Sequence, residues 1–249
     1  MQANMKGYGV AGIIGALTGG AIVAIAAMQG AETPAGKDRA AIETIVREYI
    51  LEHPEIIPEA MERLRGKQTA QLIDANRKAL ETPFAAAWAG ARDGDVVIVE
   101  FFDYSCGYCR QSVAEVDRLI KEDPKLKVVF RELPILGDAS DAAARVSLSA
   151  ARQGAFYPFH LKLYAAGRPT PATIARVQKE VGLDPAKVAS DGKAAEVQAE
   201  LDANLEMART LQLSGTPAFI IGDQLLPGAV GYETLKKAIA DARKAKAVK

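Results

Sequence analysis

Cys106 and Cys109 are the only cysteines in the chain, and they stand three residues apart in Cys106-Gly107-Tyr108-Cys109. Two cysteines at this spacing, where a helix begins, lie close enough to close a small disulfide ring. A helix N-terminus presents unpaired N–H groups and a partial positive charge. Both favour the thiolate, the reactive form of cysteine, and both lower thiol pKa values in such motifs. Cys106, at the helix start, is then the more exposed sulfur and the attacking nucleophile. Cys109, a turn further in, resolves the mixed disulfide. The chemistry implied is thiol–disulfide exchange. It needs no cofactor, because the disulfide itself carries the electrons.

Other uses of the pair have less support. A zinc site needs two more ligands, and the only imidazoles, His53 and His160, have no finger-like spacing. A four-thiolate iron–sulfur cluster needs more cysteines. A c-type haem needs His directly after the second Cys, where Arg110 stands. No metal site is therefore expected. A purely structural disulfide would close so short a loop that it constrains the unfolded chain little.

The elements around the pair are readable. Val96 to Phe102 is a dense β-branched and aromatic run, as in a strand buried on both faces of an α/β sheet. A helix should follow the cysteines to about Glu122 and stop before Pro124. Lys127 to Leu133 reads as a second strand, halted by Pro134. Strand, helix, strand in so short a stretch is a βαβ unit with a parallel sheet. Helices follow over Asp138 to Gln153, with Ser140 as cap, then Phe156 to Ala166, Pro171 to Val181 and Lys193 to Leu211. Ala218 to Ile221 and Gln224 to Leu226 form strands joined by a Gly222-Asp223 turn. Tyr232 to Ala245 closes with an amphipathic helix.

Glu100 lies inside the apolar strand, six residues before Cys106. Buried, it would have a raised pKa and could shuttle the thiol proton; the alternative is a side chain turned to an edge or paired with Lys. Asp103 and Arg110 flank the motif and carry no assignment. His160, between Phe159 and Leu161, reads as a packed helix residue, and Trp88 as core.

The N-terminus points to export. Lys6 precedes an uncharged apolar run from Val10 to Met28, and no acid occurs before Glu32. That is the pattern of an export signal, here approaching bilayer-spanning length. A retained anchor and a signal cleaved near Ala24 and Ala26 both remain open, and Gly15 and Gly19 form a GxxxG. Either outcome places the body in a compartment such as a bacterial periplasm, where disulfides persist. Ala31 to Gly36 reads as a linker. From Asp38, Ile42, Ile45, Val46, Tyr49 and Ile50 share a helical face, and Pro54 ends that helix. Helices restart over Glu55 to Arg65 and Gln68 to Leu80. This region is too thin to bury its own apolar face, so it packs on the main domain or pairs with another chain. Lys plus Arg and Asp plus Glu both number 31. That balance excludes general nucleic-acid binding, which needs a basic excess.

FFDYSCGYCR, followed much later by GTPAFIIGD, resembles the DsbA-like branch of the thioredoxin superfamily. RELPILG, AARQGAFYPFHLKLY and VGLD are similar to it too. LEHPEIIPEAMERL matches more loosely the helical N-terminal segment of the periplasmic subgroup that includes ScsC proteins. The resemblance implies an α/β thioredoxin fold with a helical insertion, preceded by an N-terminal helical extension. The division expected is a signal or anchor over 1–31, an extension over 38–82 and a thioredoxin domain over 83–249 with its insertion at about 138–195. It further implies that Cys106 is the nucleophile and Cys109 the resolving thiol, that Gly107 and Tyr108 tune the redox poise, and that Pro217 is a cis-proline facing the disulfide. Thr216, before it, would pair its backbone with substrate. Family members also carry an acid at the position of Glu100.

The Gly-Tyr dipeptide departs from the Pro-His of strongly oxidising members and favours isomerase or reductase work over a DsbA-type oxidase. Isomerases generally work as oligomers with facing sites, and the 38–80 stretch could supply a homo-oligomer contact. The partners expected are cysteine-containing substrate proteins and a membrane redox partner. The competing class is a redox-linked holdase chaperone or metal-binding protein. A structural envelope protein built on an enzyme fold is a weaker third reading.

Overall fold

The computed structural model describes residues 34–247. The Val10–Met28 run and the Gly15/Gly19 pair lie outside these residues. The chain divides into two compact units, one ending at Glu62 and one beginning at Arg63.

The first unit contains α1 (Pro34–Glu52), which ends just before Pro54, and the start of α2 (Ile56–Glu81). Proline disfavours the helical conformation at the residue before it, so the break falls there. The sequence suggested two helices after Pro54, but α2 is continuous through Gly66. Alanine-like helix formers on both sides outweigh the modest cost of one mid-helix glycine.

The second unit contains a five-stranded sheet in the order β1-β3-β2-β4-β5. The strands are β1 (Trp88–Gly90), β2 (Val96–Phe102), β3 (Leu126–Glu132), β4 (Ala218–Ile221) and β5 (Gln224–Pro227). β2 and β3 run parallel, with Phe102 opposite Glu132, and α3 (Gly107–Glu122) crosses between them. β4 pairs antiparallel with β2, and the short β1 pairs antiparallel with β3. Between β3 and β4 come α4 (Asp138–Arg152), α5 (Phe156–Ala165), α6 (Pro171–Glu180), α7 (Pro185–Asp191) and α8 (Ala195–Thr210). α9 (Tyr232–Ala247) follows β5.

Side chains alternate across the sheet, as strand geometry requires. Ile98 and Phe102 join one core with Cys109, Val116, Phe159 and Leu235, while Val99 and Phe101 join another with Ile73, Leu80 and Leu211. β2 is thus covered on both faces. A pattern this apolar has no polar side to give to water.

Two elements went unread in the sequence, β1 and α7. Trp88, expected in the core, is half-buried on β1, with the Arg92 guanidinium and Lys127 ammonium each 5.9 Å from its ring. Ser140 is not the cap of α4. The N-cap is Gly137, and the Ser140 hydroxyl donates to Ser105 Oγ at 2.8 Å. Gly137 has φ +105°, a conformation that strains any residue with a Cβ.

Candidate active site

β2 delivers the chain to the site and α3 begins there. Cys106 is the N-cap of α3, with φ −79° and ψ 121°. Its amide donates to Asp103 O at 3.0 Å, and its carbonyl accepts from Arg110 N at 3.2 Å. Both cysteines are free thiols. Cys106 is 6% exposed and Cys109 is fully buried. The Cys106 thiol donates to the carbonyl of Thr216 at 3.2 Å, and the Thr216–Pro217 peptide is cis. Residues separated by 110 positions in sequence therefore meet at one sulfur. Gly107 opens α3, with open space where a Cβ would stand. Tyr108 is 66% exposed beside it.

Asp103 organises the surrounding backbone. Its carboxylate accepts from Ser105 N at 2.7 Å, Ile135 N at 2.9 Å and Leu136 N at 3.0 Å. Its carbonyl accepts from the Tyr164 hydroxyl at 3.0 Å as well as from Cys106 N. One buried residue thus fixes the cysteine turn, the loop after β3 and α5 together. Arg110 stands half-buried one residue after Cys109.

The electrostatics beneath the site are set by burial. Desolvation pushes the Cys109 thiol far up, and the nearby Glu100 carboxylate adds to the shift. Glu100 is itself fully buried on β2, and desolvation raises it to about 8. Its strand parity places it on the sheet face that packs against α3. A second carboxylate, Glu132 at the end of β3, is also buried and pushed well up by desolvation. Its Oε1 has no hydrogen-bond partner. Tyr104 links this region to α4 and α5, its hydroxyl lying 2.8 Å from Ser147 Oγ and 3.3 Å from His160 Nδ1. His160 sits among Phe102, Phe130 and Phe156, and burial lowers it to about 3, so it is neutral. Among the described residues, no group of three or more His, Cys, Asp or Glu is placed to hold a metal ion.

Cys106, Cys109 and Glu100, expected from the residues themselves, and Gly107, Tyr108, Thr216 and Pro217, expected from the family resemblance, all lie in this one unit. Asp103, Tyr104 and Glu132 join the site in the structure without a sequence assignment. An acid closing a buried strand, as in Phe130-Arg131-Glu132, was the available signal for Glu132.

Comparison with known proteins places this geometry. The model of the DSBA-like thioredoxin domain family matches residues 97–240. The chain is a member of that family. Residues 38–71 match the copper resistance protein ScsC N-terminal domain. A thioredoxin-like oxidoreductase from Silicibacter pomeroyi DSS-3 is 42% identical, with TM-score 0.65, covering 68% of this chain and 98% of its own. The catalytic domain of Proteus mirabilis ScsC is 28% identical, with TM-score 0.64, covering 70% and 98%. A curated relative, the Na(+)/H(+) antiporter NhaA 3 of Salinispora tropica, is 29% identical over 160 residues, 61% of this chain. The chain spans about a quarter of the length of the first curated relatives it matches. The fold is thioredoxin-like, α/β with helices added, and the DsbA-like domain is of the thiol–disulfide oxidoreductase type. Among the described residues of this DsbA-like chain, no helix is long and apolar enough to cross a membrane.

Proposed function

We propose that the protein is an exported thiol–disulfide oxidoreductase that works as an isomerase or reductase on substrate proteins. The observation that carries this is the Cys106 thiol at the N-cap of α3, 3.2 Å from Thr216 O. That carbonyl stands beside the sulfur, where an extended substrate strand could pair with the backbone.

In reduction, the Cys106 thiolate attacks a substrate disulfide. A Cys106–substrate bond forms, and the other substrate sulfur leaves as thiolate. Cys109 then attacks Cys106, closes the Cys106–Cys109 disulfide and releases the second substrate sulfur. The substrate gains two electrons and the protein loses two, so a membrane reductant must restore the dithiol. In isomerisation, the first released thiolate attacks another substrate disulfide, and the thiolate this frees attacks the substrate sulfur of the mixed disulfide, forming a new substrate disulfide and releasing the Cys106 thiolate. Cys109 must lose a proton before it attacks, and its burial opposes this. Glu100, held at about 8 beside it, is the group suited to take that proton. Gly107 and Tyr108 set the poise of the pair.

Two further parts belong to this proposal. Residues 38–82 form an extension to the thioredoxin domain over 83–249, and its exposed apolar face meets a second copy of the chain. The match to the ScsC N-terminal domain and the helical spacing of Ile42, Ile45, Val46 and Tyr49 support this. Residues 10–28 direct the chain to the periplasm, as signal or anchor.

The test is Cys109→Ser, which removes the resolving thiol. Mixed disulfides between Cys106 and substrate proteins should accumulate and run as reducible adducts on gels. If no adduct forms with Cys106 intact, the exchange reading fails.

A further inference from the structure

α4 and α6 part along one side of the helical insertion and leave a groove of about 530 Å³. Ala139, Ala142 and Val146 line it from α4, and Pro171, Ile174 and Ala175 from α6. Asp138 is the only charged residue among those lining it. One end of the groove, at Asp138 and Ala139, belongs to the first turn of α4. Ile135 and Leu136, just before the Gly137 N-cap of α4, are 46% and 53% exposed. Their amides are held by the Asp103 carboxylate at 2.9 and 3.0 Å, so this aliphatic loop is fixed in place. The first turn of α4 is tied to the residue before Cys106 through the 2.8 Å Ser140–Ser105 bond. The exposed aliphatic pair Ile135 and Leu136 and the groove are thus joined through Gly137 and the first turn of α4. Exposed aliphatic side chains clustered at a site mark a binding surface.

We infer that this groove is a second subsite for the substrate polypeptide, taking one aliphatic or aromatic side chain from an extended segment that flanks the reacting cysteine. The inference rests on the exchange reading above. Because the first turn of α4 both lines the groove and bonds to Ser105, the side chain bound would lie a few residues from that cysteine along an extended segment. A small polar metabolite is a poor match, because ligand sites fix orientation with several convergent polar groups. An apolar side chain needs only burial. Such side chains are accessible near cysteines in unfolded or mispaired proteins and are covered in native ones. The groove therefore favours misfolded substrates over folded ones, and Asp138 at its end disfavours an acidic flank.

The experiment compares two disulfide-bearing peptides that differ only by Leu or Ser four residues from the cysteine, with oxidised glutathione as a substrate too small to reach the groove. The protein should react with the Leu peptide about ten-fold or more faster in kcat/KM, the scale expected for burying one such side chain. Ala142→Glu and Ala175→Glu, both at exposed helix positions, should each abolish that preference. The Ser-peptide rate, the glutathione rate and the reduction potential should stay unchanged. Equal rates for the two peptides, or a preference that survives both substitutions, would overturn the subsite while leaving exchange intact. A change of sedimentation mass in either variant would assign the groove to a second copy and equally overturn it. Failure of glutathione and both peptides to react at all would remove the exchange reading, and the subsite with it.

Discussion

Ile42, Ile45, Val46 and Tyr49 on α1 are 50% to 64% exposed, whereas Ile98, Val99, Phe101 and Phe102 on β2 are at most 1% exposed. The two segments are similarly rich in large apolar residues. In β2, period-2 alternation meets a core on each face of the sheet. In α1, the same kind of residue follows helical spacing and stays exposed among the described residues. A stretch of chemistry-bearing residues needs the first arrangement, because Cys109 and Glu100 owe their shifted proton affinities to burial. A stretch that recruits another chain needs the second. Under the proposed function, the difference separates what sets reactivity from what would set assembly.

If that separation holds, changes in one unit should leave the other's property untouched. Glu100→Gln should slow resolution by Cys109 by about 10²-fold, within the usual range for a lost proton acceptor. The sign follows from the titration. Above about 8 Glu100 is ionised and can accept the Cys109 proton, so the resolving rate should rise through that pH. In the Gln variant this step in the pH profile should vanish. Rapid quenching of the mixed disulfide across pH 6–10 checks both, and sedimentation should show unchanged assembly. Ile45→Asp makes the complementary break. It should release single copies in sedimentation and lower disulfide isomerisation about ten-fold, because paired sites lose their effective concentration. Its rate with glutathione should match the unaltered protein.

The smallest effect is on stability. The folded state holds the Glu100 proton up to about 8, while the unfolded chain releases it near 4.5. The folded state is therefore favoured fully below pH 4.5, and this contribution is lost as pH rises through 8. Glu132 acts in the same direction. His160 acts in the opposite one, since its stabilising contribution is present above 6.5 and lost as pH falls toward about 3. Glu100→Gln should accordingly melt about 5 °C higher than the unaltered protein at pH 8.5 and at the same temperature at pH 4.5, by calorimetry.

What the sequence revealed follows from how local each signal is. Cys106, Cys109 and β2 were legible because a motif and a run of β-branched residues announce themselves within a dozen positions. The helix break at Pro54 was legible for the same reason. β1 was not, because three residues show no periodicity and Trp88–Gly90 is a strand only through pairing with β3. α7 is seven residues long, too short for a helical face to repeat. Asp103 could not be assigned from its neighbours, since three of its partners lie more than 30 positions away. Ser140 misled because a hydroxyl near a helix start suggests a cap, while its bond goes to Ser105 on another element. The meeting of Cys106 with Thr216 was available only through resemblance to a family, not through any property of either segment.

The most direct test of the account is the reduction potential of the Cys106–Cys109 pair, measured in glutathione buffers. A reversible two-electron couple between about −180 and −270 mV is predicted, the range of isomerases and reductases. A value near about −120 mV would contradict the proposed direction and assign a dithiol oxidase, and the absence of any reversible couple would contradict exchange itself.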